Sequence, residues 1–291
     1  MVEGGVLREL DLDEERDRVV WELELAGTGG APPDGTRAAP EALSYVPMKA
    51  LVVDVWSDIA CPWCYMGKRR LERALERFEH ASAVSVVWHA FELDPTAPRE
   101  LPPTETYAER LAKKYRTSLP RSQEMLRQMT ETAARDGLEL RFDRVRAGNT
   151  FDAHRVLHFA LESGRQDALK ERFFRAYFTD GQPIGDRDTL ARLAGEVGLE
   201  PGAVRAMLAS ERLVEAVRED EREAAENEIR GVPFFVLGRR YAISGAQSSE
   251  VLLGALERAF RELPGRSAVT AEADAELCGA DGCVVPPRPA E

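Results

Sequence analysis

The chain has 291 residues, 44% of them hydrophobic and 31% charged, proportions that suit a soluble globular protein of one large domain or two small ones. Its formal charge is -12, yet eleven acids against four bases fall in residues 1–47 and five against two in 263–291, so residues 48–262 are close to neutral. No basic field gathers phosphates, which disfavours nucleic acid as a partner, and no apolar run approaches the length of a membrane span.

The opening residues, MVEGGVLRELDLDEERD, lack the basic start and apolar centre of a secretory signal. A cytoplasmic location is the expectation, and there a close cysteine pair is more often catalytic or metal-binding than structural. Gly27 to Pro40 is a Gly/Pro/Ala run with nothing to bury. Residues 1–47 are therefore read as a disordered extension or as lying upstream of the natural start, with Met48 opening the compact region.

Ala50 to Trp56 is a β-rich apolar run and reads as a buried strand. Leu71, Leu75 and Phe78 then fall at i, i+4 and i+7, the stripe of a helix packed on a sheet. Val84 to Leu93 reads as a second strand, which completes a βαβ unit. From about Thr104 to Arg230 the pattern is helical, with apolar stripes closed by Gly137, Gly164 and Gly198 and a charged helix over about Ser210 to Arg230 stopped at Gly231. Strand character returns over Pro233 to Gly238 and Arg239 to Gly245, and a last helix follows with Ser248 or Ser249 as its N-cap. The order predicts an α/β fold with a large helical insertion between a βαβ half and a C-terminal ββα half, over 48–262, and a flexible tail over 263–291.

Cys61-Pro62-Trp63-Cys64 lies where the first strand gives way to the first helix. The unpaired N–H groups and positive dipole end of a helix start stabilise a thiolate. Pro62 fits the first turn, where its missing N–H has no partner to lose. Cys64 is one turn on and within reach of a disulfide with Cys61, so Cys61 is expected as the exposed nucleophile and Cys64 as the more buried resolving thiol. Half of a zinc site has the same spacing. No second compact metal pair lies nearby, since Cys278 and Cys283 are in the far tail.

Other residues add candidates. Asp54, on the first strand, or Asp58 could accept a proton from Cys64, and a buried carboxylate with a raised pKa would suit that transfer. Both also have a structural reading, as a hydrogen-bonded strand residue and a loop cap. His154 and His158 stand at i, i+4; without a third ligand they read as packing histidines. The run REDEREAAENEIR reads as a solvated helix face. Pro233, at the start of a strand, marks an edge or a strand beginning, and by base rate its peptide bond would be trans.

CPWC after a strand, a helical insertion and GVPFFV late in the chain together resemble the DsbA-like branch of the thioredoxin superfamily. WHAFELDP (Trp88 to Pro95), NTFDAHRVLHFA (Asn149 to Ala160) and PFFVLGRRYAISGAQ resemble its FrnE-type cytoplasmic subfamily. The resemblance spans about Met48 to Glu262. It implies a thioredoxin fold, a dithiol–disulfide site at Cys61 and Cys64, and a cis bond before Pro233 facing them. It also implies substrate contacts at Val232, Trp63 and Pro62, with no cofactor and no metal. Cysteine-containing polypeptides or small thiols and disulfides such as glutathione are the implied partners.

Two features depart from relatives of this branch. Secreted DsbA enzymes typically carry histidine where this chain has Trp63, so strong oxidising power is not implied, and reductase, isomerase or peroxide-responsive use fits a cytoplasmic protein better. Glutathione-dependent isomerases of chromene carboxylates look similar in the insertion but usually place serine at the nucleophile position. Besides that isomerase activity, the alternative reading is a zinc-binding module built from Cys61, Cys64, Cys278 and Cys283. The C-x4-C of Cys278 and Cys283 is similar to one near the end of FrnE-type proteins, which implies a secondary redox pair.

Overall fold

The computed structural model describes residues 8–9, 51–99 and 105–263. The expectations for the tail, for Met48 and for most of residues 1–47 lie outside those residues. Within the extension, Arg8–Glu9 forms a two-residue strand, β1, paired antiparallel with Ala242 and Tyr241.

β2 (Leu51–Ser57) feeds α1 (Pro62–Arg77), and the chain returns parallel to β2 as β3 (Val84–Ala90). Two antiparallel strands, β4 (Phe234–Leu237) and β5 (Tyr241–Ser244), and a final helix, α9 (Ser249–Arg261), form the second half. The sheet runs β1-β5-β4-β2-β3, which puts β2 in the interior and lets its alternation decide two faces. Leu51, Val53 and Val55 pack with Leu71, Ala74 and Phe78 of the α1 side and with Leu252, Leu256 and Phe260 of α9. Trp56 points the other way, against Ala224, Ile229 and Val236. Ser248 caps α9, its hydroxyl accepting from the Val251 N–H.

Between the halves lie α2 (Tyr107–Lys114), α3 (Leu119–Arg135), α4 (Phe151–Leu161), α5 (Gln166–Phe178), α6 (Arg187–Glu196), α7 (Pro201–Leu208) and α8 (Val214–Glu226). Helices α3 to α7 share one apolar core, into which Ile59, Cys61, Cys64, Tyr65 and Met66 project. The first turns of α1 thus belong to the insertion's core and its later turns to the sheet's core, and the cysteines sit at the seam.

Three boundaries differ most from expectation. β3 stops at Ala90, not Leu93, because beyond it the Leu93 N–H turns to donate to the Asp58 carboxylate at 2.8 Å. The charged helix starts at Val214, not Ser210, because Arg155 draws in the carbonyls of Met207 and Arg212, at 3.0 and 2.9 Å, and Leu213 takes a left-handed conformation. The same helix ends at Glu226 with Glu228 left-handed and the Ile229 N–H on the Ala224 carbonyl, so Gly231 is not its stop.

Candidate active site

Cys61 is the N-cap of α1, with extended backbone angles and no side-chain capping hydrogen bond, so its sulfur is left for other work. Its N–H donates to the Asp58 carbonyl at 3.1 Å, and Pro62 occupies the first helical position. Its Sγ lies 3.6 Å from the Val232 carbonyl oxygen. The Val232–Pro233 peptide is cis, and the Pro233 carbonyl accepts from the Gly245 N–H at 2.8 Å, which ties this loop to the end of β5. Both Cys61 and Cys64 are free thiols.

Cys61 is not the exposed sulfur the sequence suggests. It is only 5% exposed, because it packs in the insertion's core with the Val232 loop against it, while Cys64 is fully buried. Burial, and then the neighbouring Cys61, push the Cys64 thiol well up. Trp63 is 42% exposed and forms the open part of the motif; Pro62 is buried beneath, a helix-start residue more than a contact surface. Close approach of the Pro233 loop to α1 depends on Gly67, where a Cβ would come within 2.9 Å of the Pro233 Cγ.

The two aspartates separate. Asp54 faces away from the cysteines: its carboxylate meets His89 Nε2 at 2.9 Å on the sheet face that α8 covers, so it is not the acceptor of a Cys64 proton. Asp58 lies beside the motif, accepting from the N–H groups of Ala60 (3.2 Å) and Leu93 (2.8 Å), with His154 Nε2 at 3.5 Å. Burial opposes its ionisation, but His154 and the two backbone donors hold its carboxyl below the ordinary range. A carboxylate held ionised is a weak proton acceptor, contrary to the raised value such a role needs.

The two histidines of α4 do not converge on a common point. His154 stands by Asp58, and burial keeps it neutral; His158 Nε2 meets the Asp220 carboxylate at 2.8 Å. Asp220 corrects the reading of its helix as a solvated face. It is buried at i+3 from Val217, and its carboxylate gathers His89 (2.7 Å), His158 and the Ala90 N–H (2.6 Å). His89, Asp220 and Glu223 have metal-compatible spacing, but both His89 nitrogens are already engaged by carboxylates.

Lys170 is a residue sequence reasoning missed. It is fully buried, its Nζ donates to the Ser57 carbonyl at 3.3 Å, and it lies over the rings of Trp88 and Phe174 at 5.5 and 5.2 Å from their centroids. Helix α5 positions it by docking on the edge strand β3, where the Gln166 amide bonds both the N–H and the carbonyl of Trp88. The signal was available: Gln166, Lys170, Phe173 and Tyr177 fall at i, i+4, i+7 and i+11, which puts a lysine in an apolar stripe.

A family model described as the DSBA-like thioredoxin domain matches residues 52–257. An uncharacterized protein of Bacillus subtilis (strain 168), YwbO, is 31% identical over 201 residues, covering 68% of this chain and 92% of its own. Among solved structures, the probable DsbA oxidoreductase SCO1869 from Streptomyces coelicolor is 41% identical with a TM-score of 0.69, over 81% of this chain and 100% of that one. A putative protein disulfide isomerase from Nitrosomonas europaea shares the fold at 16% identity and a TM-score of 0.58, over 74% of this chain and 99% of its own.

Proposed function

The chain belongs to the DSBA-like thioredoxin domain family, and on that premise we propose that it is a thiol–disulfide oxidoreductase in which Cys61 attacks and Cys64 resolves. The observation that carries this reading is the placement of Cys61: an uncapped sulfur at the start of α1, with Cys64 one turn inside and the Val232 carbonyl 3.6 Å away. In the reducing direction the Cys61 thiolate attacks a substrate disulfide, one substrate sulfur leaves as a thiolate, and a mixed disulfide forms. Cys64 then attacks the Cys61 sulfur, expels the second substrate thiolate and closes the protein's own disulfide. The protein loses two electrons and the substrate gains them.

The division of labour rests on access. Cys64 is sealed in the core and meets only a sulfur already attached to its neighbour, whereas Cys61 borders the Val232 loop and the exposed Trp63 ring. Trp63 and the backbone of Val232 are the substrate contacts in this reading, with Pro233 holding the loop in place. The substrates are polypeptide cysteines or small thiols and disulfides such as glutathione, and the protein works as a FrnE-type reductase or isomerase in the cytoplasm. A weakly oxidising couple is favoured by Trp63, which offers no charge to a thiolate, and by a cytosolic poise that would hold a couple about 100 mV more oxidising in its reduced form. Among the described residues no helix is long and apolar enough to cross a membrane.

The test is insulin reduction with dithiothreitol, together with trapping of mixed disulfides. Cys61→Ser abolishes exchange, and Cys64→Ser accumulates mixed disulfides through Cys61. Accumulation in Cys61→Ser in place of Cys64→Ser would reverse the two roles.

A further inference from the structure

Asp58 is the first residue of a β-turn that ends on Cys61. Its carbonyl accepts from the Cys61 N–H at 3.1 Å, the i to i+3 bond of such a turn, and its Oδ1 accepts from the Ala60 N–H at 3.2 Å. Oδ2 reaches across to the Leu93 N–H at 2.8 Å, so one carboxylate ties the turn to the segment that follows β3. The residue is sealed at 1% exposure.

Capping a turn needs only an acceptor, which serine or asparagine supplies without burying a charge. Asp58 buries one with little to offset it. Among the described residues its one ion-pair partner is His154, whose Nε2 stands 3.5 Å from Oδ1 and which burial keeps neutral. Lys170 of α5 donates to the Ser57 carbonyl at 3.3 Å and forms no ion pair with Asp58. Tyr107 of α2 and Tyr177 of α5 are pushed up by burial and stay neutral. The first turn of α1 has no acidic residue, so Asp58 supplies the negative charge at that helix start. A β-turn keeps its first and fourth Cα within about 7 Å, and burial leaves the charge poorly screened by salt. A Cys61 thiolate would set a second negative charge against the same helix end.

We propose that Asp58 is a positioning residue of the exchange reaction: it folds the turn that presents Cys61, and its fixed charge disfavours the Cys61 thiolate and so holds the Cys61–Cys64 couple on the reducing side. The assignment rests on the disulfide-exchange reading. Against glutathione, the protein disulfide and two glutathione thiols give the dithiol and one glutathione disulfide, with two electrons and two protons passing to the protein. A charge that opposes the thiolate raises the free energy of the reduced side alone, which makes the dithiol a better electron donor. Asp58 and the uncharged Trp63 then act in the same direction.

The test removes the charge and keeps an acceptor. In a Cys64→Ser background, alkylation of Cys61 by iodoacetamide is followed against pH by mass spectrometry of the Cys61 peptide, with and without Asp58→Asn. The rate at pH 6, relative to its plateau at high pH, is expected to rise about tenfold, the equivalent of one pH unit. A turn that merely loosened would raise the plateau as well and leave that ratio unchanged, which overturns the proposal. With both cysteines present, the ratio of dithiol to disulfide in a fixed glutathione buffer at pH 8 should rise at least threefold in Asp58→Asn; an unchanged ratio also overturns it. A shifted alkylation profile in a chain that never equilibrates with glutathione keeps the charge effect and overturns the disulfide-exchange reading instead. If Asp58→Asn does not fold, Asp58→Ser, whose hydroxyl can accept the Ala60 N–H, takes its place. Failure of both to fold would make the carboxylate a structural anchor and overturn the proposal.

Discussion

Gly67 and Pro233 meet so closely that a Cβ on the glycine would stand 2.9 Å from the proline Cγ and 3.2 Å from the Phe235 ring. An alanine in mid-helix ordinarily gains roughly 0.5–1 kcal/mol over glycine. Here the atoms in the way belong to a stiff pyrrolidine ring and a buried phenylalanine, and overpacking of that kind costs about 1–3 kcal/mol. Gly67→Ala is therefore expected to lower the melting temperature by a few degrees. It should also slow disulfide exchange, because the loop that yields carries the Val232 carbonyl away from Cys61. A melt and an insulin-reduction rate check both, and a stabilised variant with unchanged rate would show that the contact is slack.

The strand Arg8–Glu9 adds two residues to the exposed edge of β5. One or two ladder hydrogen bonds are worth about 1 kcal/mol net, and in a chain of this size that is a few degrees of melting temperature. Deleting residues 1–47 should cost no more than this and leave exchange at Cys61 unaltered. A loss of ten degrees would mean that the segment supplies core, not an edge strand alone.

The strand–CPWC–helix junction was legible because every cue is local: an apolar run, a proline at the first helical position, and a stripe at helical spacing. What the sequence hid depends on which way a polar side chain turns. Asp54 and Asp58 look equivalent four residues apart, yet only Asp58 lies past the end of β2, where the chain bends toward α1. Lys170 and Asp220 carry charges in helices rich in charge, and such residues are solvated far more often than buried. Position alone betrays them, each on the stripe of its helix that is otherwise apolar. Cys61 looked exposed because a helix start usually is; the loop that covers it comes from 171 positions later in the chain.

Cys278 and Cys283 lie outside the described residues, so their role remains a proposal from the sequence. A loop this short gives about 2 kcal/mol of chain-entropy stabilisation at most, which makes a purely structural bridge a weak explanation. A redox pair exchanging electrons with Cys61 is the better use. Replacing both by serine should change the rate at which the Cys61–Cys64 pair is oxidised or reduced, followed by mass spectrometry of alkylated protein. Identical rates and an identical equilibrium position would end the relay.

The His89 imidazole is held between two carboxylates, Asp220 at 2.7 Å and Asp54 at 2.9 Å, with its ring stacked on Trp56. Burial alone would push it down, but the hydrogen bonds and charges of Asp220 and Asp54 raise it to about 10. Burial likewise opposes ionisation of Asp220, and His158 and His89 hold it well below the usual carboxylate range. A raised base stabilises the fold fully below its unfolded value of about 6.5 and loses that contribution as pH climbs toward 10. A depressed acid does the reverse, contributing above about 4 and failing as pH falls. The cluster thus predicts greatest stability between about pH 4 and 6.5. Removing one member leaves a charge buried without its partner, so Asp220→Asn should cost about 3–5 kcal/mol at pH 6. In His89→Gln the deficit relative to the unaltered chain should be largest near pH 6 and shrink toward pH 10, because the unaltered chain loses the imidazolium there as well. Urea midpoints across that range measure the difference directly. A deficit independent of pH would mean that His89 is neutral and that its contribution is packing against Trp56.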